Sequence, residues 1–207
     1  MGQFISTDPL YGEQPDQQAD NPQSLNLYAY ALNNPVRFVD PNGTQAETKI
    51  AGPTVKHYEV TGKTLEEVGS DLMRKRGEEW GRMEWSSMQY NFETSTPNNR
   101  ITKVTIEAKL VIEMPEWKDL SKAGPKTSAE WNQMYMALLK HETVHVGIFN
   151  KYFKGLAEQM LGKTPQQAEK LWQSVTTQHE KAQKAFDWKE TKGSTKRVVE
   201  LNPNIKD

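Results

Sequence analysis

The segment LLKHETVHVGI, residues 138–148, is the most informative part of this 207-residue chain. It contains the pattern His-Glu-x-x-His, in which His141 and His145 are four positions apart. On an α-helix such residues project from one face toward one point, so the pair can bind a single metal ion. Apolar residues recur on both sides at helical spacing, which predicts a long amphipathic helix through Met134, Tyr135, Leu138, Leu139, Val146, Phe149 and Phe153.

The pattern supplies the residue types that a zinc hydrolase needs. Neutral imidazole is a common zinc ligand, and a catalytic zinc has three protein ligands and one position open to water. Glu142 lies about one residue's rotation from the ligand face, where it can accept a proton from metal-bound water without being a ligand. We therefore predict zinc on His141 and His145 with Glu142 as the catalytic base. A histidine pair with only a structural role is the alternative.

Composition narrows the classes of function. The chain has 26 basic and 27 acidic residues, a net charge of -1 and no run of Lys or Arg, so we expect no nucleic-acid partner. It has no cysteine, which excludes disulfides, thiol catalysis and thiolate metal ligands. No stretch of about 18 apolar residues is present, and no basic region precedes an apolar run at the N-terminus, so we predict neither a membrane span nor a signal peptide.

Alternating patterns upstream of the motif predict strands. Residues 55–60 alternate well enough for a short strand. A longer strand begins at Met83 and has a slip near Ser86-Ser87, which is typical of a bulge, and residues 101–113 alternate between apolar and polar side chains. With a turn at residues 96–99, the last two strands form an antiparallel hairpin with one buried face.

Capping signals predict three helices. The first covers residues 64–75, where Thr64 and a Glu three positions later form a capping box. The second carries the metal-binding pattern, begins at a capping box at Thr127 and runs to about Leu161, with Gly162 as its stop. The third begins at once after Thr164, which is followed by proline and a capping-box glutamine, so the last two helices form an antiparallel hairpin.

The helix hairpin indicates where a third metal ligand lies. If both helices rise equally from a turn near Lys163, His145 lies opposite about residue 181 and His141 opposite about residue 185. The residues that then face the motif are His179, Glu180, Gln183 and Asp187, three of which share one face at four-residue spacing. We expect the third ligand to come from this set.

The first 47 residues carry the motifs GQFISTDP, NLYAYALNNPV and DPNG. These closely resemble the end of a rearrangement-hotspot (Rhs) repeat core. The resemblance implies that residues 1–47 are a remnant of a β-cage and that the chain after about residue 44 is a polymorphic toxin tip. It also implies self-cleavage by Asp8 and Asp40. The first aspartate motif has an extra residue here, and Thr44 stands where that family usually has Leu at the cleavage point.

A second set of motifs, YEVTGKT, MPEW, LKHETVH and QKAFD, lies between residues 55 and 195. Together they resemble a bacterial family of predicted zinc-dependent proteases. Its last motif has a histidine at the position of Lys192, and a protonated ammonium has no lone pair for a metal. His179 is our first choice for the third ligand, because it is a histidine at the right height. Asp187 is the alternative, because the resemblance retains it.

We expect an α+β fold in which a small antiparallel sheet, built on a long hairpin, packs on a zincin-like pair of long antiparallel helices. A loop-rich β remnant precedes this domain. The predicted boundaries are a repeat-core remnant at residues 1–47, a linker at 48–54, a toxin domain at 55–195 and a tail at 196–207.

The predicted function is that of an Rhs-type antibacterial toxin acting as a zinc metallopeptidase on a protein or peptide. Tyr135, His57 and Lys192 are candidate oxyanion donors. The resemblance implies a secreted effector that a contact-dependent machine delivers into target bacteria together with its Rhs cage, and a cognate immunity protein in the producing cell. The alternatives are a non-catalytic interaction domain whose metal staples the helix hairpin, and a nuclease toxin.

Overall fold

The structure is a computed structural model that describes residues 44–191, 200–205 and 207. The chain divides into two compact units, residues 1–44 and 45–207, and all the elements given below belong to the second. Asp8, Asp40 and the Rhs-like motifs lie outside the described residues, and so does Lys192. The remnant, its self-cleavage and any role of Lys192 therefore stay predictions.

The described residues form a mixed α+β domain, as predicted. In chain order its elements are β1 (Gln45–Val60), α1 (Leu65–Arg76), β2 (Arg82–Ser95), β3 (Arg100–Trp117), a 3-10 turn (Leu120–Lys122), α2 (Pro125–Phe153), α3 (Leu156–Met160) and α4 (Pro165–Glu190). None of these helices is long and apolar enough to cross a membrane.

The β-hairpin has the predicted form. β2 and β3 pair antiparallel around the turn at residues 96–99, and their register shifts between Trp85 and Ser87, which is the predicted bulge. Alternate residues of β3 face the helices and are buried: Val104, Ile106, Ala108, Leu110 and Ile112. The helices thus pack on the apolar face of the hairpin.

The first strand is longer than predicted and changes the sheet. Residues 48–54, which we expected to be a linker, lie within β1, and β1 pairs parallel to β3 to give the order β1-β3-β2. Small and polar side chains hid the alternation of Ala46, Thr48 and Ile50, which are partly buried. The Gly-Pro pair fits into the strand as a bulge, where Gly52 has a φ of 98° and a Cβ would lie 2.5 Å from the Leu110 carbonyl oxygen.

The start of α2 is capped by a residue distant in sequence. The helix begins at Pro125 rather than Thr127, and the side-chain carboxylate of Asp207 accepts hydrogen bonds from the Lys126 and Thr127 backbone N–H groups. Leu201 and Ile205 pack against the core. The described part of the predicted tail is therefore docked on the domain, and a carboxylate offsets the positive end of the helix dipole.

The first helix of the predicted pair is interrupted near the turn that joins the two helices. α2 ends at Phe153 rather than near Leu161, because Gly155 adopts a left-handed conformation (φ 81°) before the short α3. α4 begins at the predicted capping box of Thr164. Ile101, at the start of β3, exchanges backbone hydrogen bonds of 2.9 Å with Gly162 and Lys163, which fastens the turn of the helix pair to the sheet.

The strand β2 approaches α2 closely at the His-Glu-x-x-His pattern. A Cβ built on Gly81, just before β2, would lie 2.8 Å from Leu138 Cγ and 3.1 Å from Glu142 Cγ. Contacts this short mean that a larger residue fits at position 81 only if the side chains of Leu138 and Glu142, or the strand itself, shift.

We predict that Gly81→Ala lowers the free energy of unfolding by about 1–3 kcal/mol, because the added methyl overpacks the contact between β2 and α2. Chemical denaturation measures this change. Gly147→Ala is the matched control, since Gly147 is an exposed residue of α2 with open space around its Cβ. It should leave stability unchanged or raise it by up to about 1 kcal/mol. Equal effects of the two substitutions would contradict the close approach.

Candidate metal centre

Three side chains from two helices converge at the centre of the domain. His141 Nε2 and His145 Nε2, both on α2, are 3.0 Å apart. Asp187 Oδ1, on α4, lies 3.3 Å from the first nitrogen and 3.0 Å from the second. Both histidines are buried, whereas the Asp187 side chain is 48% exposed. The triangle therefore has a buried side and one side that reaches solvent.

The spacing and chemistry of this triangle fit zinc. Zinc binds histidine nitrogen and carboxylate oxygen at about 2.0–2.1 Å, so ligand atoms at tetrahedral angles are about 3.3 Å apart. The observed separations of 3.0–3.3 Å need only a small expansion to reach this value. Two imidazoles and one carboxylate are also a ligand set of catalytic zinc sites that keep a fourth position open.

The structure brings Asp187, and not His179, to the histidine pair. His179 is 1% exposed, and its Nε2 lies 2.8 Å from the Gln183 side-chain nitrogen rather than beside the other two histidines. Burial lowers the pKa of its ring. The ring sits among the aromatic rings of Trp85, Phe149, Tyr152 and Phe153. Our first choice for the third ligand thus lies in the aromatic core, and the alternative lies at the site.

The break between α2 and α3 explains why His179 does not lie opposite the His-Glu-x-x-His pattern. Equal rise from Lys163 would put His145 opposite residue 181, but His145 contacts Gln183 and both histidines contact Asp187. Because α2 does not continue into α3, the facing positions lie at least two residues further along α4 than predicted. His179 accordingly packs against Phe149, one turn below the pattern.

Glu142 has the environment of a proton acceptor. Its side chain is buried, and burial raises the pKa of the carboxyl, although the neighbouring His145 and His141 partly oppose this. The Met83 backbone N–H donates a hydrogen bond to it. Sequence reasoning identified Glu142 but not the contribution of β2, because the contact depends on Gly81 and on tertiary packing.

Neighbouring side chains hold the two histidine rings in place. Phe186 stacks on His141 with ring centroids 4.8 Å apart, and Gln183 Oε1 lies 2.5 Å from His145 Nδ1. Sequence reasoning placed Gln183 among the residues that face the motif but did not predict its contact with His145, and it gave Phe186 no role. The available signal was their position, since Gln183 is one helical turn before Asp187 and Phe186 is its neighbour.

A cavity of about 470 Å³ opens beside the triangle. Its walls include the three side chains of the triangle, Glu142, and residues from β2 and α4, among them Met83, Trp85, Gln183 and Lys184. The candidate oxyanion donors His57 and Tyr135 do not line it, since they pair with each other through a 3.0 Å contact of His57 Nε2 with the Tyr135 hydroxyl. Among the described residues, the predicted donors are therefore not at the site.

The fold and site define a class of domain in which a helix pair, packed on a three-stranded sheet, presents two histidines, an aspartate and a buried glutamate to an open cavity. Residues 55–193, more than half of the chain, match the family described as bacterial protein of unknown function (DUF922). The chain belongs to this family. No curated protein and no solved structure matches it.

We predict that His145 of the metal-free protein has a pKa above its ordinary value of 6.5. Burial alone would lower it, but the Asp187 carboxylate, the Gln183 carbonyl and Glu142 together raise it. A chelator-treated sample titrated by NMR measures this pKa, and Asp187→Asn should lower it. A value that Asp187→Asn leaves unchanged would contradict the described pairing.

The same pKa gives a pH dependence of stability. A raised histidine pKa means that protonation favours the folded state, so this contribution is complete below the unfolded value of about 6.5. It is lost as the pH rises through the folded pKa. The metal-free protein should therefore lose stability above about pH 6.5, and Asp187→Asn should flatten this loss.

Proposed function

We propose that this domain is a zinc-dependent metallopeptidase in which His141, His145 and Asp187 bind the ion and Glu142 is the general base. The observation that supports this most strongly is the convergence of three ligand atoms within 3.0–3.3 Å of one another at the wall of an open cavity. A purely structural zinc is usually closed by four protein ligands. This triangle has three candidate ligands and is open to solvent on the Asp187 side, which favours a catalytic role.

Each residue then has one task. Bound zinc supplies Lewis-acid chemistry, since it acidifies a water and polarises a carbonyl group. Glu142 would accept a proton from the attacking water and deliver it to the leaving amine nitrogen, and its raised pKa brings the carboxyl closer to neutral pH, where a general base is most effective. The Met83 N–H holds the carboxylate in a fixed orientation for both transfers.

The edge of the sheet favours an extended peptide as the substrate. In an antiparallel strand the N–H and C=O of one residue point to the same side, so the Met83 N–H that reaches Glu142 shows that this residue faces away from β3. In the described sheet β2 is paired only with β3. A peptide could therefore add to the free side of β2 by backbone hydrogen bonds, with its amide near Glu142.

The biological role follows from the Rhs resemblance of the first 47 residues. We propose that the metallopeptidase domain is the toxin tip of a secreted effector that acts in competing bacteria and is neutralised by a cognate immunity protein. Its target is a protein or peptide, and the near-neutral net charge gives no support for nucleic acid.

Glu142→Gln should abolish activity and leave zinc bound. Loss of a general base lowers kcat by about 10²–10⁴-fold, while the ligand set is unchanged. Unfolded casein is the hydrolysis probe, metal analysis gives the zinc content, and expression in bacterial cytoplasm and periplasm measures toxicity. Glu158→Gln, an exposed glutamate of α3, is the matched control and should behave as wild type. A toxic and active Glu142 variant, or a zinc-loaded wild type without activity, would favour the metal-stapled interaction domain.

Asp187→Asn and His179→Phe together identify the third ligand. Asp187→Asn should weaken Zn²⁺ binding by well over the 10–100-fold that loss of a supporting partner typically costs. His179→Phe should weaken it by no more than about that amount, because phenylalanine preserves the aromatic packing around this position. Competition with a chromogenic chelator measures both affinities. The reverse ranking would make His179 the ligand.

A further inference from the structure

We propose that Gln183 is a positioning residue that fixes the His145 ring as an Nε2 metal ligand, and that buried His179 fixes the orientation of Gln183 in turn. This inference rests on the proposed metal site. It assigns a role to the two polar residues that lie between the aromatic core and the ligand triangle.

The orientation of the Gln183 amide is determined by its partners. Its Nε2 lies 3.2 Å from the His145 backbone oxygen and 2.8 Å from His179 Nε2. A backbone oxygen can only accept a hydrogen bond, so the nitrogen of the amide must face it. The flipped amide would place two oxygens against each other. Gln183 Oε1 therefore faces His145 Nδ1, at 2.5 Å.

This orientation selects one tautomer of His145. A carbonyl oxygen only accepts, so His145 Nδ1 must carry the proton that Gln183 Oε1 receives. The other ring nitrogen, Nε2, then has a free lone pair, and it is the atom that points at His141 and Asp187. A hydrogen-bond acceptor on the ring nitrogen that does not bind the metal sets both the tautomer and the ring orientation of a metal-ligating histidine.

His179 supplies the acceptor for the second amide hydrogen. Its Nε2 receives the hydrogen bond from Gln183, while its ring is held by Phe149 and Phe153 at centroid distances of 5.4 and 5.3 Å. The ring is buried and cannot rotate without disturbing these contacts. The rigid aromatic core thus reaches the ligand triangle through two hydrogen bonds.

The test compares Gln183→Leu, Gln183→Asn and Gln183→Glu with wild type. Leu has no acceptor and Asn is too short to reach the ring, so both should weaken Zn²⁺ binding by about 10–100-fold. Glu retains an acceptor for the Nδ1 proton but loses the N–H that faces the His145 backbone oxygen, so it should weaken Zn²⁺ binding less than Leu and Asn do. Gln178→Leu is the matched control and should leave the affinity unchanged, because Gln178 is an exposed α4 residue that bonds to the Ser174 hydroxyl and, among the described residues, does not line the cavity.

A spectroscopic readout separates positioning from packing. Long-range ¹H–¹⁵N spectra of metal-free protein in an Asp187→Ala background, where the Asp187 carboxylate no longer competes for the Nε2 proton, should show the Nδ1–H tautomer of neutral His145 when Gln183 is present. In Gln183→Asn they should show a shift toward Nε2–H, the tautomer that free imidazole side chains favour in water. The Asn variant keeps the amide, so this readout remains available if Gln183→Leu does not fold.

The outcomes distinguish this inference from the proposed function. A wild-type protein that binds no Zn²⁺ overturns the metal site and the positioning role together. If wild type binds Zn²⁺ but Gln183→Asn binds it equally tightly and keeps the tautomer, the metallopeptidase proposal stands and the positioning role is wrong. Weakening by Glu that equals the weakening by Leu and Asn also overturns it, because Glu is the variant that still presents an acceptor oxygen to His145 Nδ1.

Discussion

Two backbone hydrogen bonds between Ile101 and the turn at Gly162 and Lys163 connect the helix pair to the sheet. They set the height of α4 against α2, because the turn cannot slide while both bonds are made. One residue of slippage along a helix moves a side chain by about 1.5 Å and turns it by about 100°. Asp187 lies 24 residues from Lys163, yet its carboxylate meets both histidines within 3.3 Å. The start of β3 therefore governs which α4 residue completes the triangle.

Under the proposed function, the helix pair gives the carboxylates of Asp187 and Glu142 different tasks. Asp187 is half exposed, and although burial opposes ionisation, its contacts with His141 and His145 hold the pKa of its carboxyl well below the usual range. Glu142 is buried, and burial raises its pKa. A carboxylate that stays ionised suits a ligand, and one that readily takes up a proton suits a base. Environment alone separates the roles of two similar side chains.

Local signals in the sequence predicted the local structure well. The caps at Thr64 and Thr164 and the bulged hairpin depend on neighbouring residues, and each was found where the pattern placed it. Three features depend on distant residues and were not predictable in this way. The α2 cap comes from Asp207, about 80 positions away, β1 pairs with β3, whose partner residues lie 57–58 positions later, and the break at Gly155 shifts the facing register of the helices.

His179 is a predicted ligand that the structure places in the aromatic core rather than beside His141 and His145. Within the described residues its Nδ1 is buried without a hydrogen-bond partner, a loss of about 1–3 kcal/mol relative to a satisfied group. Phenylalanine at this position would pack among the same aromatic rings without that cost. A fold that keeps a histidine here gains an acceptor for the Gln183 amide, and stability alone does not account for it. The histidine count thus pointed to the part of α4 that faces the pattern, while the structure places the His179 ring two hydrogen bonds, through Gln183, from the proposed ligand His145.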